Sequence, residues 1–250
     1  MTGPSVHPSS YTEITVHTRR SLLVLVCLLA LVAGCRGNGS DDRASKEPQP
    51  AAAATSPTDG APERPKIVAL GDSLTAGLGL VESQAYPALL QAKLNAEGYA
   101  LEVVNAGVSG DTSAGGLRRL DWALQGDVRV LVLALGANDG LRGLSVAEMK
   151  NNLVEIIRRA RERNIVVILA GMEAPPNYGA EYTASFRRAF QDVAREQRVI
   201  FLPFLLVKVA GDPALNQGDG IHPNAAGAAI IADTLWQVIR PVLDQMSARP

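Results

Sequence analysis

Cysteine and histidine are scarce in this chain, and where they stand restricts its chemistry. The sequence has two cysteines, Cys27 and Cys35, and of its three histidines only His222 lies beyond residue 34. The chain after residue 35 therefore contains neither a disulfide nor a cysteine nucleophile. One imidazole without thiolates is too little for a typical zinc site, and no carboxylate spacing suggests another metal. We expect neither a metal nor a cofactor.

Aromatic residues and excess charge are also lacking. Aromatic side chains make up 4% of the sequence, and 24 basic residues nearly balance 25 acidic ones. A nucleic-acid-binding protein would show a clustered basic surface, so we expect no nucleic-acid partner. The hydrophobic fraction of 47% is that of an ordinary globular protein. The length allows one large domain or two small ones.

A short apolar run near the N-terminus has the pattern of an export signal. Two arginines precede 13 mainly apolar residues, 21–33, whereas a membrane-spanning helix needs about 20. The sequence Leu-Val-Ala-Gly-Cys at 31–35 resembles the lipobox of bacterial lipoprotein signals, which implies cleavage before Cys35 and acylation of its thiol. We therefore predict a lipoprotein signal peptide at 1–34 and an exported, lipid-anchored protein at the periplasmic face or in the cell envelope. An uncleaved anchor or cleavage elsewhere stays open, and either would also place the domain outside the cytoplasm.

The residues that follow the predicted signal have the composition of a linker. Residues 36–65 are rich in Gly, Ser, Asp, Pro and Ala. Such a segment cannot bury enough apolar surface to offset the entropy lost on ordering. We predict that residues 35–65 comprise the lipidated Cys35 and a disordered linker, and that the folded domain spans 66–250.

From residue 66 onward, predicted strands alternate with predicted helices. The run Val-Arg-Val-Leu-Val-Leu-Ala-Leu at 128–135 is typical of a central strand in a parallel sheet. The alternation predicts an α/β fold in which helices cover both faces of a parallel sheet. The predicted strands are 66–70, 101–105, 128–135, 165–171 and 199–204, and the predicted helices are 84–97, 112–124, 145–163, 181–197 and 224–243.

Small polar motifs follow the first three predicted strands. Because the carboxyl ends of parallel strands meet at one edge of a sheet, we expect Ser73, Gly110 and Asn138 to converge there. Taken alone, Ser73 fits a turn or a helix cap equally well. The motifs are Gly-Asp-Ser-Leu at 71–74, Gly-Asp-Thr at 110–112 and Gly-Ala-Asn-Asp at 136–139.

The chemistry open to Ser73 depends on the single histidine of the predicted domain. If Ser73 needs an imidazole base, His222 is the candidate, and Asp219 lies three residues before it across a glycine turn. This carboxylate can accept a hydrogen bond from the other ring nitrogen, which completes a nucleophile, base and orienting acid. The alternative makes Asp219 a turn former and His222 a helix cap.

These four blocks, ending with Asp-Gly-Ile-His-Pro at 219–223, resemble the conserved blocks of the SGNH (GDSL) hydrolase superfamily over about residues 66–246. They look in particular like its thioesterase I/lysophospholipase/arylesterase branch. The resemblance implies a flavodoxin-like three-layer α/β/α sandwich with a parallel sheet of about five strands. It implies the catalytic residues Ser73, Asp219 and His222. It also implies an oxyanion hole formed by the N–H groups of Ser73 and Gly110 and the amide of Asn138.

The function implied by the resemblance is that of a serine esterase. It would hydrolyse carboxylic acyl or aryl esters through a Ser-His-Asp triad and an acyl-enzyme intermediate. Lysophospholipids and thioesters are further candidate substrates. The partners would be a small acyl-ester or lipid substrate and the membrane that holds the anchor, and we expect a monomer. We expect Asp72, Asp111 and Asp139 to brace loops. Two alternatives stay open: a carbohydrate O-deacetylase, and a non-catalytic lipoprotein that binds lipid or glycan.

Overall fold

The structure, a computed structural model, describes residues 64–248. The predicted signal peptide, Cys35 and all but the last two residues of the predicted linker lie outside the described residues. Within the described part, five strands form one sheet in the order β2-β1-β3-β4-β5, and every neighbouring pair is parallel. The strands are β1 (Lys66–Gly71), β2 (Glu102–Gly107), β3 (Val128–Ala134), β4 (Val166–Ala170) and β5 (Ile200–Leu202). The helices are α1 (Ser73–Ala76), α2 (Tyr86–Ala96), α3 (Ser113–Arg118), α4 (Leu120–Ala123), α5 (Ala137–Leu141), α6 (Val146–Glu162), α7 (Ala180–Gln197) and α8 (Ala225–Ser247), with 3-10 turns at Glu82–Gln84 and Pro176–Tyr178.

Helices cover both faces of this sheet. Helix α2 packs against α8, whereas α6 packs against α3 and α7. Because parallel crossovers are right-handed, connections that run in opposite directions along the sheet lie on opposite faces. The result is a three-layer α/β/α sandwich, and its strand order is that of flavodoxin-like folds. The predicted fold class is confirmed.

The two central strands are apolar along nearly their whole length. Strand β1 is buried from Ile67 onward, and β3 is buried from Val130 to Ala134, whereas the edge strand β2 is only partly buried. Full burial of a Val, Leu or Ile side chain contributes about 1.5–3 kcal/mol. The segments that carry Ser73 and Asn138 therefore extend from strands that are buried in the core.

Helix α6 begins where the sequence predicts. The hydroxyl of Ser145 accepts the N–H of Glu148 at 3.3 Å and so satisfies one of the unpaired donors of the first turn. The helix then buries one side, as the three- and four-residue spacing of its apolar side chains requires. The buried residues are Met149, Leu153, Ile156, Ile157 and Ala160.

The prediction of one continuous helix at 112–124 is wrong, because the structure forms two short helices there. The chain forms α3 and α4, with Arg119 at the break (φ −102°, ψ 8°). The guanidinium of Arg119 donates to the carbonyl oxygens of Gly71 and Ala106, at the ends of β1 and β2. These partners are distant in sequence, so the local pattern does not reveal them.

Helix α8 is the one helix among residues 64–248 whose length and apolar composition would suit a membrane span. Half of its apolar window is buried inside the fold. The side chain of Asn224 caps its first turn by accepting the N–H groups of Ala226 and Gly227. Its buried side chains recur every three or four residues, as in a helix that packs on a core. They include Ala228, Ile231, Ala232, Leu235 and Ile239.

The order of the strands creates a crevice at one edge of the sheet. From β1 the chain crosses to β2 on one side, and β3 then pairs with the other side of β1. Open α/β sheets bind ligands at such a switch point, outside the carboxyl ends of the strands. Ser73 follows β1 and Asn138 follows β3, so both residues lie at this crevice.

Candidate active site

Ser73 is the first residue of the four-residue helix α1, directly after the central strand. Asp72 caps this helix, since its Oδ1 accepts the N–H of Leu74 at 3.1 Å. The strand end requires glycine, because a Cβ atom on Gly71 would lie 1.9 Å from Oγ1 of Thr75. The tight turn holds Ser73 at the edge of the sheet, where it is 9% exposed.

The structure brings His222 and Asp219 to Ser73, which lies 149 positions from the histidine in sequence. Nε2 of His222 lies 2.9 Å from Oγ of Ser73, and Nδ1 lies 2.6 Å from Oδ2 of Asp219. The serine hydroxyl, the imidazole and the carboxylate thus form one continuous hydrogen-bonded chain.

Backbone hydrogen bonds keep Asp219 ionised. Its Oδ1 accepts the N–H groups of His222 at 3.0 Å and of Ile221 at 2.9 Å. Together with the imidazole contact, these donors hold the pKa of Asp219 well below its usual range, and the backbone N–H of His222 contributes most. An ionised carboxylate only accepts hydrogen bonds. It therefore fixes the proton of neutral His222 on Nδ1 and leaves Nε2 free to accept from Ser73.

Gln217 joins the histidine loop to the serine segment, and sequence analysis did not single it out. Its Nε2 donates to the carbonyl oxygen of Leu78 at 2.7 Å and to that of Pro223 at 3.0 Å. Its backbone N–H donates to the carbonyl of His222 at 2.7 Å. These bonds hold His222 at a fixed distance from the segment that follows Ser73. No local pattern announces this role, because Leu78 lies 139 positions away.

The three groups expected to form an oxyanion hole lie around the same cleft as His222. The N–H of Ser73 opens helix α1 and has no acceptor within that helix. Gly110 has a positive φ of 81°, a conformation that glycine adopts without strain, and its carbonyl accepts from Arg142 at 2.7 Å. Nδ2 of Asn138 donates to Oδ2 of Asp72 at 3.3 Å.

The other two aspartates of these motifs make the loop-bracing hydrogen bonds that the sequence analysis expected. Asp139 accepts from the backbone N–H of Ser113 at 2.8 Å and from its hydroxyl at 2.7 Å. Asp111 pairs with Nε of Arg119 at 2.6 Å, and both side chains are largely buried. Arg119 was missed, because its partners are brought together only by the assembled sheet.

A cleft of about 790 Å³ opens beside Ser73 and His222. Leu78, Phe204 and Leu206 line it, whereas Leu205 is fully buried in the core. Glu173 stands in the lining and pairs with Arg187 at 3.0 Å. The volume is in the range of sites for small organic molecules. Further apolar lining residues are Leu74, Leu141, Met172 and Ile221.

This arrangement contains the parts that acyl transfer requires. A hydroxyl nucleophile contacts an imidazole, a carboxylate orients that imidazole, and Ser73, Gly110 and Asn138 line the same cleft. Among residues 64–248, no group of three or more His, Cys, Asp or Glu side chains could hold a metal ion.

The sequence of this chain is similar to those of known esterases and acylhydrolases. Residues 69–230 match the family described as GDSL-like Lipase/Acylhydrolase family. The chain is 43% identical over 178 residues to "Esterase TesA" of Pseudomonas aeruginosa, which covers 71% of this chain and 89% of the relative. It is 37% identical over 182 residues to "Thioesterase 1/protease 1/lysophospholipase L1" of Escherichia coli, which covers 72% of this chain and 86% of the relative.

A solved structure shares both the fold and much of the sequence. It is the crystal structure of the psychrotrophic esterase EstA from Pseudoalteromonas sp., inhibited by monoethylphosphonate. The TM-score is 0.69 at 36% sequence identity, and the match covers 72% of this chain and 98% of that chain.

Proposed function

This chain belongs to the GDSL-like lipase/acylhydrolase family and is a carboxylic ester hydrolase, and we propose that it acts through a covalent acyl-enzyme on Ser73. One observation carries the proposal. Oγ of Ser73 lies 2.9 Å from Nε2 of His222, whose Nδ1 lies 2.6 Å from the carboxylate of Asp219. These distances are within hydrogen-bond reach of a nucleophile, a general base and an orienting acid.

The proposed reaction has two steps. Ser73 Oγ attacks the ester carbonyl carbon while Nε2 of His222 takes its proton, and Asp219 stabilises the resulting imidazolium. The bond to the leaving oxygen then breaks, and the imidazolium returns the proton to that oxygen. In the second step, water attacks the acyl-enzyme with His222 again as base. The carboxylic acid leaves, and the hydroxyl of Ser73 is restored.

The negative charge of each tetrahedral intermediate would be stabilised by three donors. We assign these to the N–H groups of Ser73 and Gly110 and to the side-chain amide of Asn138, all of which line the cleft. Loss of one such donor typically lowers kcat about 10²–10³-fold. The positive φ of Gly110 supports its assignment, because a glycine lets the backbone approach the substrate without a Cβ atom.

The apolar cleft supports an acyl chain as the group recognised beside Ser73. Leucine, methionine and phenylalanine side chains line it, and the carboxylate of Glu173 in the lining is paired with Arg187. We propose acyl and aryl esters as substrates. Lysophospholipids and thioesters are further candidates, because a relative with 37% identity is named for both activities.

The cellular setting is proposed from sequence alone. The apolar run at 21–33 and the lipobox-like segment ending in Cys35 support export and lipid anchoring of this enzyme. The linker at 36–65 would then join the anchor to the catalytic domain. We propose that the enzyme acts as a monomer.

Hydrolysis of p-nitrophenyl esters from acetate to palmitate tests the proposed mechanism. Ser73→Ala and His222→Ala should each lower kcat about 10⁴-fold or more. Ser83→Ala, at an exposed serine outside the cleft, should leave kcat unchanged. A serine-directed phosphonate should raise the mass of the wild type by one phosphonyl group and leave the mass of Ser73→Ala unchanged.

The same experiment separates the alternatives. An activity limited to acetate would favour a carbohydrate O-deacetylase. Full activity in Ser73→Ala would exclude Ser73 as the nucleophile. A folded wild-type protein that neither turns over esters nor reacts with the phosphonate would support a non-catalytic lipid- or glycan-binding protein.

A further inference from the structure

A buried carboxylate lies directly beside the proposed nucleophile, and the acyl-transfer mechanism does not use it. Asp72 is 1% exposed. Its Oδ1 accepts the N–H of Leu74 at 3.1 Å, and its Oδ2 accepts Nδ2 of Asn138 at 3.3 Å. Burying a carboxylate is costly compared with burying a neutral group. A helix cap alone does not require that cost, because a neutral asparagine or serine caps a helix equally well.

We propose that Asp72 is a positioning residue that fixes the orientation of the Asn138 side-chain amide. Its carboxylate selects the orientation in which an N–H group of Asn138, and not its carbonyl oxygen, faces the cleft. The inference rests on the proposed function, because it assigns a role within the proposed oxyanion hole.

The physical basis is the asymmetry between the two ends of an amide. An ionised carboxylate has no hydrogen to donate, so Asp72 accepts only from the NH₂ end of Asn138. One N–H of that group is directed at Asp72, which leaves the second for the cleft. A rotation of 180° about the last side-chain bond would place the carbonyl oxygen there instead. Its lone pair would repel a developing oxyanion.

Protonation of Asp72 would reverse this preference. A protonated carboxyl carries an O–H donor, which pairs with the carbonyl oxygen of Asn138 and so favours the rotated amide. Burial raises the pKa of Asp72 to about 6, and hydrogen bonds from Leu74 and Asn138 only partly oppose this.

Few titratable groups face Asp72 from neighbouring elements. The imidazole of His222 is close enough to lower its pKa when charged. The hydroxyl of Tyr86 is buried nearby and is bonded to Thr75 at 2.8 Å. The guanidinium of Arg119 reaches the carbonyl of Gly71, the residue before Asp72.

Asp72→Asn imitates the protonated acid at every pH. The N–H of Leu74 still needs an acceptor, so the oxygen of the new amide would face Leu74 and its NH₂ would face Asn138. That NH₂ group would donate to the Asn138 carbonyl and hold the amide in the rotated state. We expect kcat to fall about 10²–10³-fold, as for loss of one oxyanion donor, with KM changed less than about threefold.

A double-mutant cycle distinguishes this role from a general structural one. If Asp72 acts through Asn138, adding Asp72→Asn to Asn138→Ala should lower kcat by less than about threefold, because one donor cannot be lost twice. Asp139→Asn is the matched control. Asp139 is also a buried motif carboxylate, but it bonds to Ser113, so any loss that it causes should multiply with that of Asn138→Ala.

The pH dependence provides a second measurement that does not need the Asp72 variant to fold. Below pH 6, log kcat of the wild type should fall more steeply with decreasing pH than log kcat of Asn138→Ala, because protonation of Asp72 disables the Asn138 donor in the wild type alone.

Three results would overturn the inference: a wild-type kcat in Asp72→Asn, multiplicative losses in the cycle, or equal slopes in wild type and Asn138→Ala. Full activity in Asn138→Ala together with an inactive Ser73→Ala would also overturn it, while the proposed nucleophile would stand. Full activity in Ser73→Ala would remove the proposed function itself. Phosphonate labelling of Ser73 in each variant that retains it verifies that the site is folded.

Discussion

Among single residues, Asp72 is expected to support catalysis while it lowers the stability of the fold at neutral pH. Its pKa in the folded protein is about 6, compared with an ordinary value of 3.8, and burial is the main cause. The folded state therefore binds this proton more tightly than the unfolded state does. The stability that the protonated Asp72 carboxyl contributes is fully present below about pH 4 and is lost as the pH rises through about 6. At pH 7 the buried charge costs up to about 3 kcal/mol, at about 1.4 kcal/mol for each pKa unit.

Asp72→Asn should consequently stabilise the protein while it impairs catalysis. We expect the free energy of unfolding to rise by about 1–3 kcal/mol at pH 7 and by little at pH 4, where the wild-type carboxyl is protonated. Urea unfolding at pH 4, 5, 6 and 7 measures the difference. A stability change that is the same at all four values would show that titration of Asp72 does not cause it.

At the scale of secondary-structure elements, Arg119 ties the strand ends that surround the site. Its guanidinium donates to Gly71 at the end of β1 at 2.8 Å, to Ala106 near the end of β2 at 2.7 Å, and to Asp111 at 2.6 Å. Asp111 directly follows Gly110, so the same cation holds the strand that delivers Ser73 and the loop that delivers Gly110. A lysine ammonium is a compact charge that lacks the planar fork needed for all three acceptors.

Arg119→Lys should therefore loosen both segments together. We expect the free energy of unfolding to fall by about 2–4 kcal/mol, since a buried ion pair loses its geometry, and kcat to fall as Gly110 becomes less well placed. Urea unfolding and ester hydrolysis measure the two effects. Arg159→Lys is the control, because Arg159 pairs with Glu155 on the more exposed side of α6, where such pairs contribute about 0.3–0.5 kcal/mol. Equal losses in both variants would argue against the bracing role of Arg119.

The same elements show what the sequence can and cannot predict. Apolar periodicity located the five strands and the long helices, because burial on one or both faces leaves a repeating pattern in the chain. It predicted one helix at 112–124, where Arg119 divides two. It also missed the short helix α5 that carries Asn138. The break at Arg119 accompanies contacts between residues far apart in sequence, such as Arg119 with Gly71, 48 positions away. Helix α5 has only five residues, which is too short for apolar periodicity to reveal.

In the candidate site as well, local motifs predicted the functional residues but not the long-range contacts that support them. Residue identities at the strand ends were predicted from their motifs, and the structure brings Ser73, Asp219 and His222 within hydrogen-bond distance. The supporting contacts were not predictable. Asp72 meets Asn138 across 66 positions, and Gln217 meets Leu78 across 139. Such contacts form only when the sheet edge assembles, so a local sequence pattern does not reveal them.

At the scale of the whole molecule, the proposed anchor would determine which substrates the cleft meets. A protein tethered to a membrane encounters lipids of that membrane at a far higher effective concentration than a free protein does. A soluble ester reaches the cleft by diffusion whether or not the enzyme is anchored, so its turnover should not depend on the tether. Anchoring and catalysis are thus separable by a change at residue 35.

Cys35→Ser should release the enzyme from the membrane without changing its chemistry. We expect the full-length wild type to incorporate a labelled fatty acid and to sediment with membranes, and Cys35→Ser to do neither. For a soluble p-nitrophenyl ester, kcat/KM should be equal in the two proteins. Hydrolysis of lysophospholipid within the same membranes should fall at least about tenfold in Cys35→Ser, since the effective concentration conferred by the tether is lost.

Cys27→Ser controls for the loss of a thiol. Cys27 lies within the apolar run that would be removed with the signal, so this variant should keep both the label and the membrane association. If Cys35→Ser still carried the fatty acid, the proposed lipidation site would be wrong. If the variant left the membrane but hydrolysed membrane lysophospholipid as fast as the wild type, the anchor would serve to retain the enzyme at the envelope. In that case the apolar cleft would find its lipid substrate without help from the tether.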